Sequence, residues 1–353
     1  MLYFITIAFS KASFYQNIIF ITLFNELHTT YFTNCIFVEI FIISLEITHS
    51  IFDFNPSQKT IVTIGTFDGV HVGHQQIIKE LVEEAKSSNK KSVLLTFFPH
   101  PRMVLQKDAS IKLINTIDER AKHLEKLGLD YLIIHPFSKE FSRLTALDFV
   151  RDVLVNQLDT SKLIIGYDHH FGKNREGNIE QLTEYSHMYD FTVEEIPAQD
   201  IDEVSVSSTK IRRALMGGEL KTANKYLGYN FSLTGKVVNG KQLGGKIGFP
   251  TANIDVSEEY KLIPKTGVYV VKSVIDENTV FGMMNIGNRP TVDGDHQTIE
   301  VHFFNFNRDL YNKELTIELL YFLRDEQKFD SINDLTNQLH KDKESSLNYL
   351  KNN

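Results

Sequence analysis

A chain of 353 residues, 42% hydrophobic and 23% charged, has material for two cores of ordinary soluble character, since domains commonly run to about 100–200 residues. The net charge of −8 argues against a general nucleic-acid binder, which would carry a basic stripe, but leaves nucleotide substrates open because local groups meet their phosphates. The single cysteine, Cys35, excludes an intramolecular disulfide and fits a reducing compartment such as the cytoplasm.

Residues 1–43 read differently from the rest: they are crowded with Phe, Ile, Thr, Asn and Tyr and contain no Gly or Pro. The apolar run Ile18 to Phe24 is broken by Thr22 and falls far short of the roughly 20 residues of a spanning helix. No basic start followed by a small-residue cleavage site marks a signal peptide, Lys11 being the only basic residue ahead of the runs. Three readings are open: a membrane-associated extension, an extension weakly packed on the rest, and translated upstream sequence. The composition favours the last.

From Thr60 the pattern becomes regular. A β-branched run over 60–66 predicts a buried strand, and Ile77, Ile78, Leu81, Val82 and Ala85 recur at helical spacing over 75–87. Strands follow over 92–98, 131–135, 162–166 and 191–196, and helices over 118–127, 146–158, 179–188, 209–217 and 220–227. This alternation predicts an α/β domain with a parallel sheet covered on both faces. After about Tyr229 the rhythm changes to strand-like runs at 232–238, 268–275, 280–286, 298–304 and 315–323, separated by Gly, Asn and Asp turns. That spacing belongs to an all-β barrel or sandwich; a closing amphipathic helix is expected over 331–349. The expected division is an extension (1–43), an α/β domain (44–228) and a β-barrel domain (229–353).

The sharpest chemical signal is the segment Gly65-Thr66-Phe67-Asp68-Gly69-Val70-His71-Val72-Gly73-His74, placed where a strand gives way to a helix at the carboxyl end of the sheet, where α/β folds bind ligands. Its glycines let a phosphate approach the backbone, and the helix start offers free N–H groups and a positive dipole end. His71 and His74 can face one phosphate and donate hydrogen bonds to its developing charge, electrostatic catalysis without an enzyme nucleophile. The bland alternative, two solvated loop histidines, does not account for this spacing at this position. The motif resembles the nucleotidyltransferase superfamily. Ser207-Ser208-Thr209-Lys210-Ile211-Arg212 resembles that superfamily's second signature, whose hydroxyls and arginine suit the outer phosphates. Gly166-Tyr167-Asp168-His169-His170-Phe171-Gly172 and Thr96-Phe97-Phe98-Pro99-His100-Pro101 resemble segments of flavin adenylyltransferases, with His169 where that family usually has Phe. The resemblance implies ATP/FMN contacts from Gly65, Phe67, Asp68, Gly73, Asp168, Ser207, Ser208, Thr209 and Arg212.

A second constellation is Gly244-Gly245-Lys246-Ile247-Gly248-Phe249-Pro250-Thr251-Ala252-Asn253. It lacks the Gly-Lys-Ser/Thr ending of a P-loop, yet its glycines free backbone amides for phosphates, and the Thr251 hydroxyl and Asn253 carbonyl are hard oxygen ligands suited to Mg²⁺. Together with 264–269, 282–291 and 299–302, it resembles riboflavin kinases, with Lys246 beside Gly245 where a basic residue is common. Glu300 lies on an apolar strand at the barrel mouth and suits a general base for a ribityl 5′-hydroxyl, the alternative being a solvated strand residue. The resemblance implies ATP/flavin contacts from Gly244, Lys246, Gly248, Pro250, Thr251, Asn253 and Arg324, the last with a flavin-covering helix that carries Gln338 and Asp342.

Both modules in this order resemble the bacterial bifunctional riboflavin kinase/FMN adenylyltransferases, or FAD synthetases, across about residues 45 to 350. The resemblance implies ATP as co-substrate, Mg²⁺, riboflavin and FMN as substrates, no nucleic-acid or membrane partner, and a monomer or weak homo-oligomer. A single-activity cytidylyl- or adenylyltransferase would leave the barrel idle, and a non-catalytic flavin carrier predicts loss of His71, His74, Thr251, Asn253 and Glu300, all of which are present. A chain beginning at Leu45 is expected to convert riboflavin to FMN and FMN to FAD as the full chain does; failure of the shortened chain to fold in soluble form would overturn the assignment of 1–43 as dispensable.

Overall fold

The computed structural model describes residues 44–105, 111–167, 170–197, 200–201, 204–240, 243–291 and 294–352, with backbone alone at 200–201, 204, 243, 289–291 and 294–296. The extension over 1–43, and with it the expectation that it is dispensable, lies outside the described residues, as do Asp168 and His169.

Six parallel strands form the first sheet: β1 (Glu46–Thr48), β2 (Thr60–Ile64), β3 (Lys91–Phe98), β4 (Tyr131–Pro136), β5 (Thr160–Gly166) and β6 (Thr192–Ile196), in the order β1-β4-β3-β2-β5-β6. Side chains alternate between its faces as strand geometry requires. Val62, Ile64, Val93, Leu95, Ile133, Leu163 and Ile165 pack on one face, and Ile61, Leu94, Leu132, Ile134 and Ile164 on the other. Helices α1 (Val72–Ser87), α2 (Pro101–Leu105) and α3 (Ile117–Lys126) follow β2, β3 and the 111–116 segment. Ile78, Leu81, Val82, Ala121 and Leu124 of α1 and α3 cover the second face. The first is covered by α5 (Ile179–Tyr189) and by α4 (Ala146–Asp148), which runs on as wider π-type turns over Phe149–Gln157. Each fully buried aliphatic side chain here contributes about 1.5–3 kcal/mol.

The strand order reverses at β2: the chain steps outward through β3 and β4, then returns to place β5 on the other side. Such reversal opens a crevice outside the carboxyl ends of the strands, and the histidine motif follows β2 there. A short hairpin, β7 (Asp200–Ile201) with β8 (Val204–Ser205), leads to α6 (Ser208–Gly217) and α7 (Leu220–Leu227).

The second unit is a closed antiparallel barrel of β9 (Ser232–Val238), β10 (Ala252–Asp255), β11 (Gly267–Ile275), β12 (Asn278–Thr291), β13 (Gly294–Phe303) and β14 (Glu314–Arg324), ordered β10-β13-β12-β11-β14-β9. Closure removes the exposed strand edges an open sheet would carry. A single turn, α8 (Leu243–Lys246), sits in the glycine loop, and α9 (Ile332–Asn352) closes the chain. β12 and β13 run longer than their apolar patterns predict, because the hairpin keeps pairing as far as Thr291 and Gly294. β1 and β10, of three and four residues, carry too few positions to show a period.

The apolar core does not divide where the sequence rhythm changes. Ile211, Ala214 and Leu215 of α6 and Leu220, Ala223 and Leu227 of α7 share one cluster with Phe231, Leu233, Tyr269, Val271 and Ile317 of the barrel unit. The helix pair is therefore packed as part of the barrel, although its N-terminus bonds to the loop after β2 through Ser208 and Asp68.

Candidate functional site

In the first site, His71 is the N-cap of α1, its backbone extended and its Nδ1 accepting the His74 N–H at 3.4 Å. One turn later the His74 ring stacks on His71 with centroids 3.6 Å apart and lies 4.7 Å from the Phe67 ring. Gly73 stands between the two in the first turn. Because His71 Nδ1 is an acceptor, its ring proton resides on Nε2, which becomes a donor. Burial, His71 and the Arg120 guanidinium together hold His74 well below its ordinary pKa of 6.5, so it is neutral at pH 7.

The loop from Gly65 to Val70 is held in an uncommon conformation, with positive φ at Phe67 (45°) and Val70 (34°), strain that surrounding contacts must offset. Tyr229 O–H donates to the Gly69 carbonyl at 2.6 Å, and Gln75 Nε2 donates to the Val70 carbonyl at 2.8 Å. Asp68, expected as an ATP/FMN contact, has its carboxylate turned to donors of the protein itself. Its side chain has no solvent exposure and accepts the Ile114 N–H at 2.9 Å, the Asn115 N–H at 3.2 Å and Arg212 Nη2 at 2.5 Å, with Arg120 Nη2 at 3.6 Å. A buried carboxylate with this many donors is a fixed anchor for the loop.

Ser207 caps α6, accepting the Lys210 N–H, and Ser208 Oγ donates to the Asp68 carbonyl at 2.8 Å. Thr209, in the same first turn, is exposed. The Arg212 guanidinium turns to Asp68 and to the Lys112 carbonyl, so its charge is shared with the anchor. The structure thus brings Gly65, Phe67, Gly73, His71, His74, Ser207 and Ser208 around one crevice. It adds three groups that the sequence did not single out: Arg120, His100 and Tyr229. Arg120 is fully buried and donates to Thr96 Oγ1 at 3.4 Å; a helical arginine at a core position was its only sequence signal.

In the second site, β10 lies beside β13, with Asn253 opposite Glu300 in the register. Thr251 Oγ1 donates to Glu300 Oε2 at 3.4 Å. The barrel thus joins hydroxyl, amide and carboxylate at one mouth. Two glycines shape the approach: a Cβ at Gly240 would stand 2.1 Å from Asn253 Nδ2, and Gly248 has φ of +84° with open space around it. Gly244 accepts the Phe249 N–H through its carbonyl at 2.8 Å, closing the loop under α8, and Lys246 at the end of α8 is exposed. His302 Nδ1–H donates to the Pro250 carbonyl at 2.8 Å and so fixes the peptide that carries Thr251. A cavity of about 180 Å³ adjoins this peptide, lined by Pro250, Thr251, Val301, Phe303 and Phe306 among others. Arg324 makes a two-pronged bond to the buried Asp342 of α9, at 2.8 and 2.7 Å, and Gln338 donates to the same carboxylate. A larger depression of about 430 Å³ beside Lys59, Lys90, Ser161 and His187 opens at the amino ends of the strands, away from both constellations.

Among the described residues no helix is long and apolar enough to cross a membrane.

Residues 53–210 match the FAD synthetase family and residues 227–350 the riboflavin kinase family. A bifunctional riboflavin kinase/FMN adenylyltransferase of Listeria monocytogenes is 38% identical over 81% of this chain and 91% of its own length. The Escherichia coli K12 protein of the same description is 35% identical over 81% of this chain and 91% of its own. A solved structure from Streptococcus pneumoniae, titled a macrolide-efflux protein, is 31% identical with a TM-score of 0.79, covering 86% of this chain and 99% of that one. That title stands apart from the two family matches, and the fold likeness is what it contributes here.

Burial pushes His100 and His123 down to about 4, Asp68 opposing the effect at His100 and Lys126 adding to it at His123. A histidine whose pKa is lower in the folded state binds fewer protons there than in the unfolded chain, so stability falls as pH drops through the window from 6.5 to about 4. The thermal midpoint is expected to decline across this window and to decline less steeply in His123→Gln, which removes one such group. Equal slopes for the two proteins would contradict the assignment.

Proposed function

Because the chain belongs to the family of bifunctional riboflavin kinases/FMN adenylyltransferases, it phosphorylates riboflavin to FMN and adenylylates FMN to FAD, and we propose that residues 44–228 carry the second reaction and 229–353 the first. The observation that supports this division most directly is the pair of constellations, stacked His71 and His74 at a helix start and Glu300 beside Thr251 at a barrel mouth. We place the enzyme in the cytoplasm, as a monomer or weak homo-oligomer without nucleic-acid or membrane partners.

In adenylylation an FMN phosphate oxygen attacks the α-phosphorus of ATP, and the bond to pyrophosphate breaks. No protein nucleophile is required. His71 Nε2–H and His74 donate to the α-phosphoryl oxygens as charge moves toward the leaving group. The start of α6, with Ser207, Ser208 and exposed Thr209, takes the outer phosphates through hydroxyls and helix-end N–H groups. Arg212, neutralised in part by Asp68, positions that helix and adds charge nearby. Asp168 belongs to the same reading as a flavin-side contact.

In phosphorylation the ribityl 5′-hydroxyl attacks the γ-phosphorus of ATP while Glu300 accepts its proton, and the bond from the γ-phosphorus to the β,γ-bridging oxygen breaks to release ADP. Gly244, Lys246, Gly248 and Pro250 shape the phosphate loop, and the Arg324–Asp342 pair holds α9 over the flavin side. The oxygen donors Thr251 and Asn253 fit a hard divalent cation, Mg²⁺ in our reading, which when bound would offset the charge of the triphosphate.

Loss of a donor to developing charge typically costs about 2.7–4 kcal/mol. His74→Ala is therefore expected to slow FMN adenylylation by at least about 100-fold while riboflavin phosphorylation continues. Glu300→Gln, which keeps shape and removes basicity, should lower riboflavin turnover by about 10²–10⁴ with riboflavin binding retained and FMN adenylylation nearly unchanged. Chromatography of FMN and FAD from both variants tests the division; equal damage to both reactions in either one would refute it.

A further inference from the structure

Between β10 and β11 the barrel unit sends a segment into the first unit. Leu113 N–H donates to the Tyr260 carbonyl and Leu262 N–H to the Leu113 carbonyl, each at 2.7 Å, a parallel bridge between the units. Lys261, at its centre, has a fully buried ammonium that donates to the Ile114 carbonyl at 2.7 Å and to the Glu119 carboxylate, and lies 4.6 Å from the centre of the Phe231 ring. Glu119 is already the capping-box residue of α3, accepting the Thr116 N–H at 3.0 Å, and it also accepts the Thr234 N–H of β9 at 3.1 Å.

The groups held by Lys261 are one bond away from the histidine loop. Ile114, whose carbonyl meets Lys261, gives its N–H to Asp68, as does Asn115. Arg120, next to Glu119, reaches toward the same Asp68 carboxylate and toward Thr96. Asp68 lies three residues ahead of His71, and its carbonyl receives Ser208 of the phosphate-binding helix start. We propose that Lys261, although it belongs to the kinase unit, is a positioning residue for the adenylyltransferase site, setting the 111–120 segment on which Asp68 and hence His71, His74 and Ser208 are placed. A buried ammonium is suited to this role because its removal strands Glu119 and the Ile114 carbonyl in a dry interface, so the segment must move to find other partners. Lys261 touches neither Thr251, Asn253 nor Glu300 by any bond described, so riboflavin phosphorylation should not depend on it. The inference rests on the two-reaction reading above.

The test uses the full chain, as wild type, His74→Ala, Lys261→Met and Tyr260→Phe, with each reaction measured from its own supplied flavin. Displacements of about an ångström at a catalytic group cost up to about 100-fold. Lys261→Met is expected to lose about 10- to 100-fold in kcat for FMN adenylylation, with KM for FMN changed less and riboflavin phosphorylation within about twofold. Tyr260→Phe, which removes only the hydroxyl that accepts the Ile117 N–H at 3.4 Å, is expected to show the same selectivity in milder form, and it decides the question if Lys261→Met does not fold. Unchanged adenylylation, or parallel loss of both activities in folded protein, would overturn the inference. Absence of FAD synthesis in wild type, or normal FAD synthesis in His74→Ala, would instead overturn the reading on which it rests.

Discussion

The carboxylate of Asp68 is the constraint around which the first site is organised. A buried charge without partners would cost several kcal/mol, and this one has no solvent exposure. It is stabilised because three separate parts of the chain converge on it: the N–H groups of Ile114 and Asn115, the guanidinium of Arg212 from α6, and that of Arg120 from α3. Each partner is itself part of a separate element, so Asp68 fixes the histidine loop, the start of α6 and the interface segment relative to one another. The positive φ angles at Phe67 and Val70 are tolerable because this anchor and Tyr229 over-determine the loop.

The barrel site solves the same problem with weaker means. Its amide and carboxylate come from neighbouring strands, where register alone brings Asn253 opposite Glu300, and its hydroxyl from Thr251 just ahead of β10. The glycine loop is tied down by bonds within itself and by His302 holding the Pro250 carbonyl. Strand register is a rigid device because a one-residue slip would move every side chain to the other face. Open space remains around Gly245 and Gly248 beside this fixed register.

Much of this was legible in the sequence because the informative interactions are local. Alternating strand and helix periods specify the parallel sheet, and a histidine pair one turn apart at a strand end marks the start of a helix, where the two rings stack. The Gly-rich run ending at Asn253 and the carboxylate of Glu300 stand out by residue type. What was not legible is long-range. Asp68 looks like a ligand group inside its motif, and only the fold shows four donors turned to it from positions 46 to 144 residues away in sequence. Glu119 is readable as the end of a Thr116 capping box, but nothing local shows that it also receives Lys261 and Thr234. β1 and β10 are too short to carry a period.

The shared core explains why a division drawn at the change of sequence rhythm does not describe the energetics. α6 and α7 close the α/β half in sequence order but bury Ile211, Leu215, Leu220 and Leu227 with the barrel, while the Ser208 hydroxyl at the start of α6 donates to the Asp68 carbonyl in the other half. A helix with one end in each environment transmits any shift of the barrel to its own first turn, since packed interiors resist compression and pass displacement on. The 111–120 segment makes a second, polar connection between the same two regions through Tyr260 and Lys261. Two independent links leave little freedom for the sites to move as separate bodies, and that rigidity holds an anchor such as Asp68 dry: a hinge at the junction would expose the anchor to water and weaken every charge-assisted bond it makes.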